Sequence, residues 1–182
     1  MVTLTIKDGS LSLAEMSAAL KTPIRVELDQ DCWNRVEASA ATVDSVLKDG
    51  KTVYGINTGF GSLAQKLIEP DKLAELQRNL VLSHASGTGP LLDDGVVRLI
   101  LLLKINSLAR GYSGIRMQTL QYLLALLEAD ALPCIPAKGS VGASGDLAPL
   151  AHLSMVLLGE GEARVHGKFV AGWELLRQLG LE

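Results

Sequence analysis

Aromatic side chains are scarce here, 4% of 182 residues, so any core this chain builds must be mostly aliphatic. Cysteine is scarcer still. Cys32 and Cys134 stand far apart and form no Cys-x-x-Cys pair, which indicates neither a zinc site nor a disulfide framework and suits a reducing cytoplasm. Excess positive charge is missing too: a net charge of -3 leaves no electrostatic footprint for nucleic acid or anionic lipid. That balance favours small-molecule chemistry or protein contacts. The longest apolar stretch, Val96 to Leu103, contains Arg98 and stops at Lys104, short of the roughly 20 apolar residues that span a bilayer. No charged region followed by an apolar one opens the chain, so the expected setting is the cytoplasm, away from any membrane.

What remains is a composition 48% hydrophobic and 20% charged, which fits a soluble globular protein and excludes a disordered or collagen-like one. A length of 182 residues supports one ordinary core, and division in two would leave each half marginal. The expectation is a single domain over residues 1–182.

Local signals place the elements. Thr3 to Lys7 reads as a short strand. A helix starts at Ser12, where Ser12 and Glu15 match the Ser-x-x-Glu capping box. Ile24 to Leu28 is a second extended run, followed by a helix from about Cys32 to Leu47 that Gly50 helps to end. YGINTGFG, Tyr54 to Gly61, holds too many glycines for a regular helix or central strand and reads as an ordered loop. A helix begins near Pro70 and continues through Leu73, Leu76, Gln77 and Leu80 into a second loop, SHASGTG, Ser83 to Gly89.

From Asp94, the residues Val97, Ile100, Leu101, Ile105 and Leu108 follow one helix face, with Gly111 as a C-cap. Ile115 to Glu128 repeats the pattern through Leu120, Leu123, Leu124 and Leu127, until Pro133 and Pro136 force a break. Two packed antiparallel helices are expected. A third loop, Gly139 to Gly145, feeds a helix through Leu147, Leu150, Leu153 and Leu157, with Asp146 as its N-cap. Glu162 to Val170 reads as a hairpin turning near His166-Gly167, and Trp173 to Leu179 as a last helix.

Loops held by rigid helices are where reactive groups usually lie, and the third is the most informative: GSVGASGDLAPLAH, Gly139 to His152. Glycine-rich loops before helices often bind phosphate, but neither G-x-x-x-x-G-K-[ST] nor G-x-G-x-x-G after a strand is present. Gly142-Ala143-Ser144-Gly145 also lacks one residue of the G-x-S-x-G hydrolase elbow. On the residues alone, a structural turn joining two helix ends is as good a reading as any site.

The fourteen-residue segment resembles the signature of the histidine and aromatic amino-acid ammonia-lyases, and the whole chain is similar to the amino-terminal part of those enzymes. The resemblance implies a mainly α fold: the helical amino-terminal part of the ammonia-lyase fold, with a few short strands and glycine-rich active-site loops. The family's long carboxy-terminal helical bundle would be absent. It also implies that Ala143, Ser144 and Gly145 cyclise to 4-methylidene-imidazol-5-one (MIO), so no external cofactor or metal is expected. The residue types suit that chemistry. Ring closure brings the Gly145 nitrogen to the Ala143 carbonyl carbon, easiest without a Cβ. The Ser144 hydroxyl is a β leaving group, so its loss leaves the methylene.

By the same resemblance Tyr54 is the general base or acid, although a phenol of ordinary pKa about 10 needs a site that favours phenolate. His84, in the Ser83-His84 pair of NLVLSHASG, resembles the histidine enzymes rather than those acting on tyrosine or phenylalanine, and would bind the substrate imidazole. His152 and His166 read as structural. LKINSLARGYSGIR, Leu103 to Arg116, also resembles the family; Asn106, Arg110 and Arg116 are assigned to positioning loops or to subunit contacts. The implied reaction is non-oxidative elimination of ammonia from L-histidine to give trans-urocanate, in a homotetramer. A tyrosine or phenylalanine lyase, an aminomutase and a truncated, non-catalytic polypeptide are the alternatives.

Overall fold

Two parallel strands and the helix between them begin the fold: β1 (Val2–Ile6), α1 (Leu13–Lys21) and β2 (Ile24–Leu28), with Val2 opposite Ile24 and Ile6 opposite Leu28. The structure is a computed structural model that describes residues 2–7, 9–61, 64–142 and 145–181. The expected capping box is formed: Ser12 Oγ accepts from the Glu15 amide at 3.2 Å, and Glu15 Oε2 accepts from the Ser12 amide at 2.7 Å. Two of the first-turn donors that a helix leaves open are thereby satisfied. α2 (Gln30–Asp49) starts two residues before the expected Cys32 and ends at Gly50, whose φ of 65° is the left-handed C-cap glycine permits.

Pro70–Lys72 forms one 3-10 turn before α3 (Leu73–His84). β3 (Thr88–Leu91) follows, then the long helices α4 (Asp94–Leu108) and α5 (Met117–Glu128). Their regular apolar spacing buries Val97, Leu101, Leu102, Ile105 and Leu108 from α4 against Leu120, Leu123 and Leu127 from α5. With Leu4 and Ile6 of β1, Ile24 of β2 and Val36 of α2, these make the principal core. The largest fully buried side chains are all Ile, Leu or Val, as the shortage of aromatics requires.

The proline-containing stretch after α5 is more than a break. β4 (Ala131–Pro133) and β5 (Pro136–Lys138) flank it. β4 joins the hairpin of β6 (Glu162–Val165) and β7 (Lys168–Ala171) in a sheet of order β4-β6-β7. Pro133 and Pro136 sit at strand ends, where the missing N–H costs least. The hairpin turns at the expected place, with φ of 50° at His166 and 77° at Gly167, a left-handed pair that matches the strand twist. α6 (Leu147–Leu157) and α7 (Gly172–Leu179) complete the order. A second, smaller core collects Leu126, Ala131, Val156, Ala163 and Leu175 from α5, β4, α6, β6 and α7.

One buried charge braces the helices. Arg98 of α4 donates to both carboxylate oxygens of Asp130, at 2.7 and 3.1 Å, and to the Ala19 carbonyl at 3.0 Å. Its guanidinium thus ties the end of α1 to the turn that follows α5. Beside it, a Cβ on Gly95 would stand 2.2 Å from the Leu20 carbonyl oxygen, so only glycine lets the start of α4 come this close to α1. Among the described residues no helix is long and apolar enough to cross a membrane.

Candidate active site

The first loop is ordered by its own polar groups. Asn57 is buried, its Oδ1 accepting from the Val53 amide at 2.8 Å and its Nδ2 donating to the Lys51 carbonyl at 2.8 Å. Thr58, also buried, donates to the Gly59 carbonyl at 2.9 Å. Its backbone bridges to Leu67, and the Ile68 amide donates to the Asn57 carbonyl at 2.9 Å. With buried amide and hydroxyl groups satisfied in this way, the loop can hold Tyr54 outward. That ring is 64% exposed and meets Phe60 edge-on, the centroids 5.7 Å apart.

Ile56 of this loop borders an open cleft of about 600 Å³, walled on its other sides by Arg35, Ser39 and Thr42 of α2 and by Arg110 to Gly114. The expectation that Asn106 and Arg110 position loops has a counterpart at Gly9. Asn106 Nδ2 donates to the Gly9 carbonyl at 2.8 Å, and the Arg110 side chain fills the space where a Gly9 Cβ would stand.

The second loop begins later than its sequence suggests, because α3 runs on through His84. That extension orients the imidazole. His84 Nδ1 lies 2.8 Å from the Leu80 carbonyl oxygen, one turn back, and 3.2 Å from Ser83 Oγ. Ser83 Oγ itself donates to the same carbonyl at 3.0 Å. A carbonyl oxygen can only accept, so Nδ1 carries the ring proton of neutral His84 and Nε2 keeps its lone pair. In the neutral ring this geometry leaves Nε2 as the acceptor.

The third loop is packed against the second. β3 and β5 pair antiparallel, Thr88 opposite Lys138 and Leu91 opposite Pro136. A Cβ on Gly139 would stand 2.8 Å from Gly87 Cα, so two backbones touch where side chains would hold them apart. From α6, His152 Nε2 accepts from the Gly87 amide at 3.0 Å. Burial lowers the His152 pKa below the ordinary histidine value, in keeping with an imidazole that accepts rather than donates. Sequence reasoning found the signature but not this contact, which links residues 65 positions apart.

Ala143 and Ser144, the first two residues of the signature tripeptide, lie outside the described residues. Gly145 is described: its φ is +70°, and a Cβ there would stand 3.1 Å from Ser140 Oγ. Asp146 occupies the N-cap position of α6 without a side-chain hydrogen bond. Its φ of -123° and ψ of -2° depart from the extended cap geometry that aims a carboxylate at the first-turn amides.

Thus loop two, which follows His84 at the end of α3, and loop three, which carries Gly145, are joined through β3, β5, Gly87, Gly139 and His152. Tyr54 is not part of that junction. Among the described residues, no hydrogen bond, ion pair or ring contact ties it to His84 or to Gly145. His166 is exposed on the hairpin turn.

An α-rich segment with short strands and a glycine-rich signature loop packed against a histidine-bearing one has a known counterpart. Residues 11–182 match the aromatic amino acid lyase family, and the chain belongs to that family. Over its whole length it is 53% identical to a histidine ammonia-lyase of Vibrio cholerae and spans 36% of that protein. It is equally similar, 53% over 182 residues, to a histidine ammonia-lyase of Salmonella heidelberg. Among solved structures, histidine ammonia-lyase from Trypanosoma cruzi superposes with a TM-score of 0.86 at 38% identity, covering 98% of this chain and 35% of that one. Ergothionase from Treponema denticola superposes with a TM-score of 0.91 at 29% identity, covering 98% of this chain and 36% of that one. The chain therefore corresponds to about a third of the relatives it matches, 36% in the curated ones.

Proposed function

We propose that this segment supplies part of the active site of a cytoplasmic, homotetrameric histidine ammonia-lyase that converts L-histidine to trans-urocanate and ammonia. Residues 1–182 form its MIO-bearing unit, and further active-site groups come from the family's remaining helical region. The observation that carries the reading is His84, its Nδ1 held on the Leu80 carbonyl at the end of α3, three residues before the Gly87 backbone that packs against the signature loop. Identity of 53% to histidine ammonia-lyases over the whole chain supports it.

Gly145 suits the expected prosthetic group. A left-handed φ of +70°, with Ser140 Oγ 3.1 Å from where its Cβ would be, is a position that only glycine takes without strain. Ala143, Ser144 and Gly145 would form the ring, and MIO would supply an electrophile, which ordinary side chains lack. The chain's own groups do the rest. His84 Nε2 accepts an N–H of the substrate imidazole, and Tyr54, as the general base, takes a proton from the substrate β-carbon. The β C–H electron pair becomes the new C=C bond as the Cα–N bond breaks and ammonia leaves. Unactivated, that β-proton is only weakly acidic, which is why elimination calls for an electrophile.

His84→Phe tests the substrate assignment in a full-length protein carrying this segment. Losing the acceptor leaves a substrate N–H unpaired, a cost of about 1–3 kcal/mol. Histidine kcat/KM should fall by about 5- to 150-fold relative to that for phenylalanine. Unchanged relative specificity would show that the imidazole is read elsewhere. A wild-type protein that prefers phenylalanine or tyrosine would reassign the substrate.

A further inference from the structure

We propose that His152 is a positioning residue of the lyase reaction: its neutral imidazole accepts the Gly87 amide and so holds the His84 loop against the helix that follows the signature. The proposal rests on the reading above that His84 meets the substrate.

The geometry leaves the loop few other anchors. After α3 ends, the Ala85 amide donates to Val81 O at 3.1 Å and the Ser86 amide to His84 O at 2.8 Å, both within the same stretch of chain. Gly87 is the first residue beyond His84 whose amide is held by another element. It is also hemmed in: a Cβ there would lie 3.0 Å from His152 Nε2 and 3.2 Å from both Lys138 O and Pro136 Cβ. A loop amide in so tight a place cannot easily turn to water, so removing its acceptor leaves it unpaired or lets the loop move away. Gly87 lies three residues beyond His84, at the point where the chain leaving α3 meets Gly139 of the signature loop.

The contact exists in one protonation state only, since imidazolium has no lone pair to accept with. Burial favours the neutral form. Titratable groups facing α6 from the elements packed against it include Glu75, Arg78 and His84 on α3, Lys104 on α4, Lys138 on β5, and Glu174 and Arg177 on α7; Asp146 and Glu160 flank α6 itself. Arg78 and Glu160 pair with each other, and Lys138 and Asp146 are exposed. The sign of the effect follows. With the folded pKa depressed, the His152 contribution is fully present above the ordinary histidine pKa and is lost as pH falls through the lowered one.

The test uses a full-length protein carrying this segment, as wild type, His152→Leu and His152→Gln. Leucine removes the acceptor, and glutamine offers a carbonyl oxygen in its place. Deuterium exchange at fixed pH should show the 85–91 backbone losing protection in the leucine variant and keeping it with glutamine. KM for histidine should rise by about tenfold in the leucine variant, with kcat changing less, because the binding-competent loop is less populated. Glutamine should restore KM and remove an acid limb present in the wild-type kcat/KM profile. A merely structural histidine would lower thermal stability and active fraction without shifting KM or that limb.

Unchanged protection and KM in a folded leucine variant, or 85–91 protection that falls toward acid pH in the glutamine variant just as in wild type, would overturn the proposal. If the leucine variant does not fold, the wild-type and glutamine profiles still decide. Should wild type make no urocanate, the function assignment fails instead, and the exchange measurement still judges the Gly87 contact.

Discussion

Replacing Ser144 by Ala is expected to lower histidine elimination by several powers of ten in a full-length protein carrying this segment, with little effect on folding. In the proposed cyclisation the serine hydroxyl is the group whose loss would create the methylene carbon, and alanine has nothing to lose there. Tyr54 and His84 would remain, but a base and an imidazole acceptor cannot by themselves make the β-proton of histidine acidic enough to remove. Groups that act as a unit fail together when one is deleted. The check is urocanate formation by purified variant free of wild-type enzyme, alongside a thermal melt to show that the variant is folded. Substantial turnover would sink the MIO assignment.

Asp130→Ala is the substitution expected to cost most in stability. The Arg98 and Asp130 side chains are 7% and 15% exposed, so removing the carboxylate leaves a guanidinium out of water with, among the described residues, the Ala19 carbonyl as its remaining hydrogen-bond partner. Breaking a buried pair from one side typically costs about 3–5 kcal/mol, a large share of the roughly 5–15 kcal/mol by which a domain is stable. Alanine is also unfavourable at the φ of 48° that Asp130 adopts. Asn tolerates that backbone conformation and can still accept one hydrogen bond, so Asp130→Asn should lose less. Urea midpoints of the three proteins give the comparison; equal midpoints would mean that the pair contributes nothing to holding α1, α4 and α5 together.

Much of the fold was readable because its signals are local. Ser12 and Glu15 announce a helix start within four residues, the apolar spacing of α4 and α5 runs over whole turns, and the His166-Gly167 turn marks its hairpin. The strands that organise the site were not readable in this way. β4 and β5 have three residues each, both contain proline, and neither alternates long enough to show a period. Their partners, β6 and β3, lie far away in sequence, so pairing is decided by tertiary packing rather than propensity. The helix carrying His84 extends two residues, Ser83 and His84, beyond the start of the loop that the sequence suggests, and the second of these is the one whose ring bonds back to Leu80.

The candidate site divides along the same line. The signature, the glycine-rich loop with Tyr54 and the Ser83-His84 pair are sequence motifs, and their resemblance to one family pointed to a chemistry. The arrangement of the loops depends on Gly87, Gly139 and His152, whose contacts reach across the chain. His152 read as a structural residue, and its bond to Gly87 gives that structure a specific task. Tyr54 stays apart, on a loop fixed by Asn57 and Thr58, and this segment alone does not bring it to His84.

The most direct test of MIO formation from Ala143-Ser144-Gly145 is the intact mass of a full-length protein carrying this segment, compared with its Ser144→Ala variant. Cyclisation and elimination remove two waters, so the wild-type mass should fall about 36 Da below that calculated from its sequence, a covalent change independent of any assay. The deficit should map to the peptide containing residues 143–145 and be absent from the variant. A wild-type mass equal to the sequence mass in a folded, active enzyme would contradict the assignment.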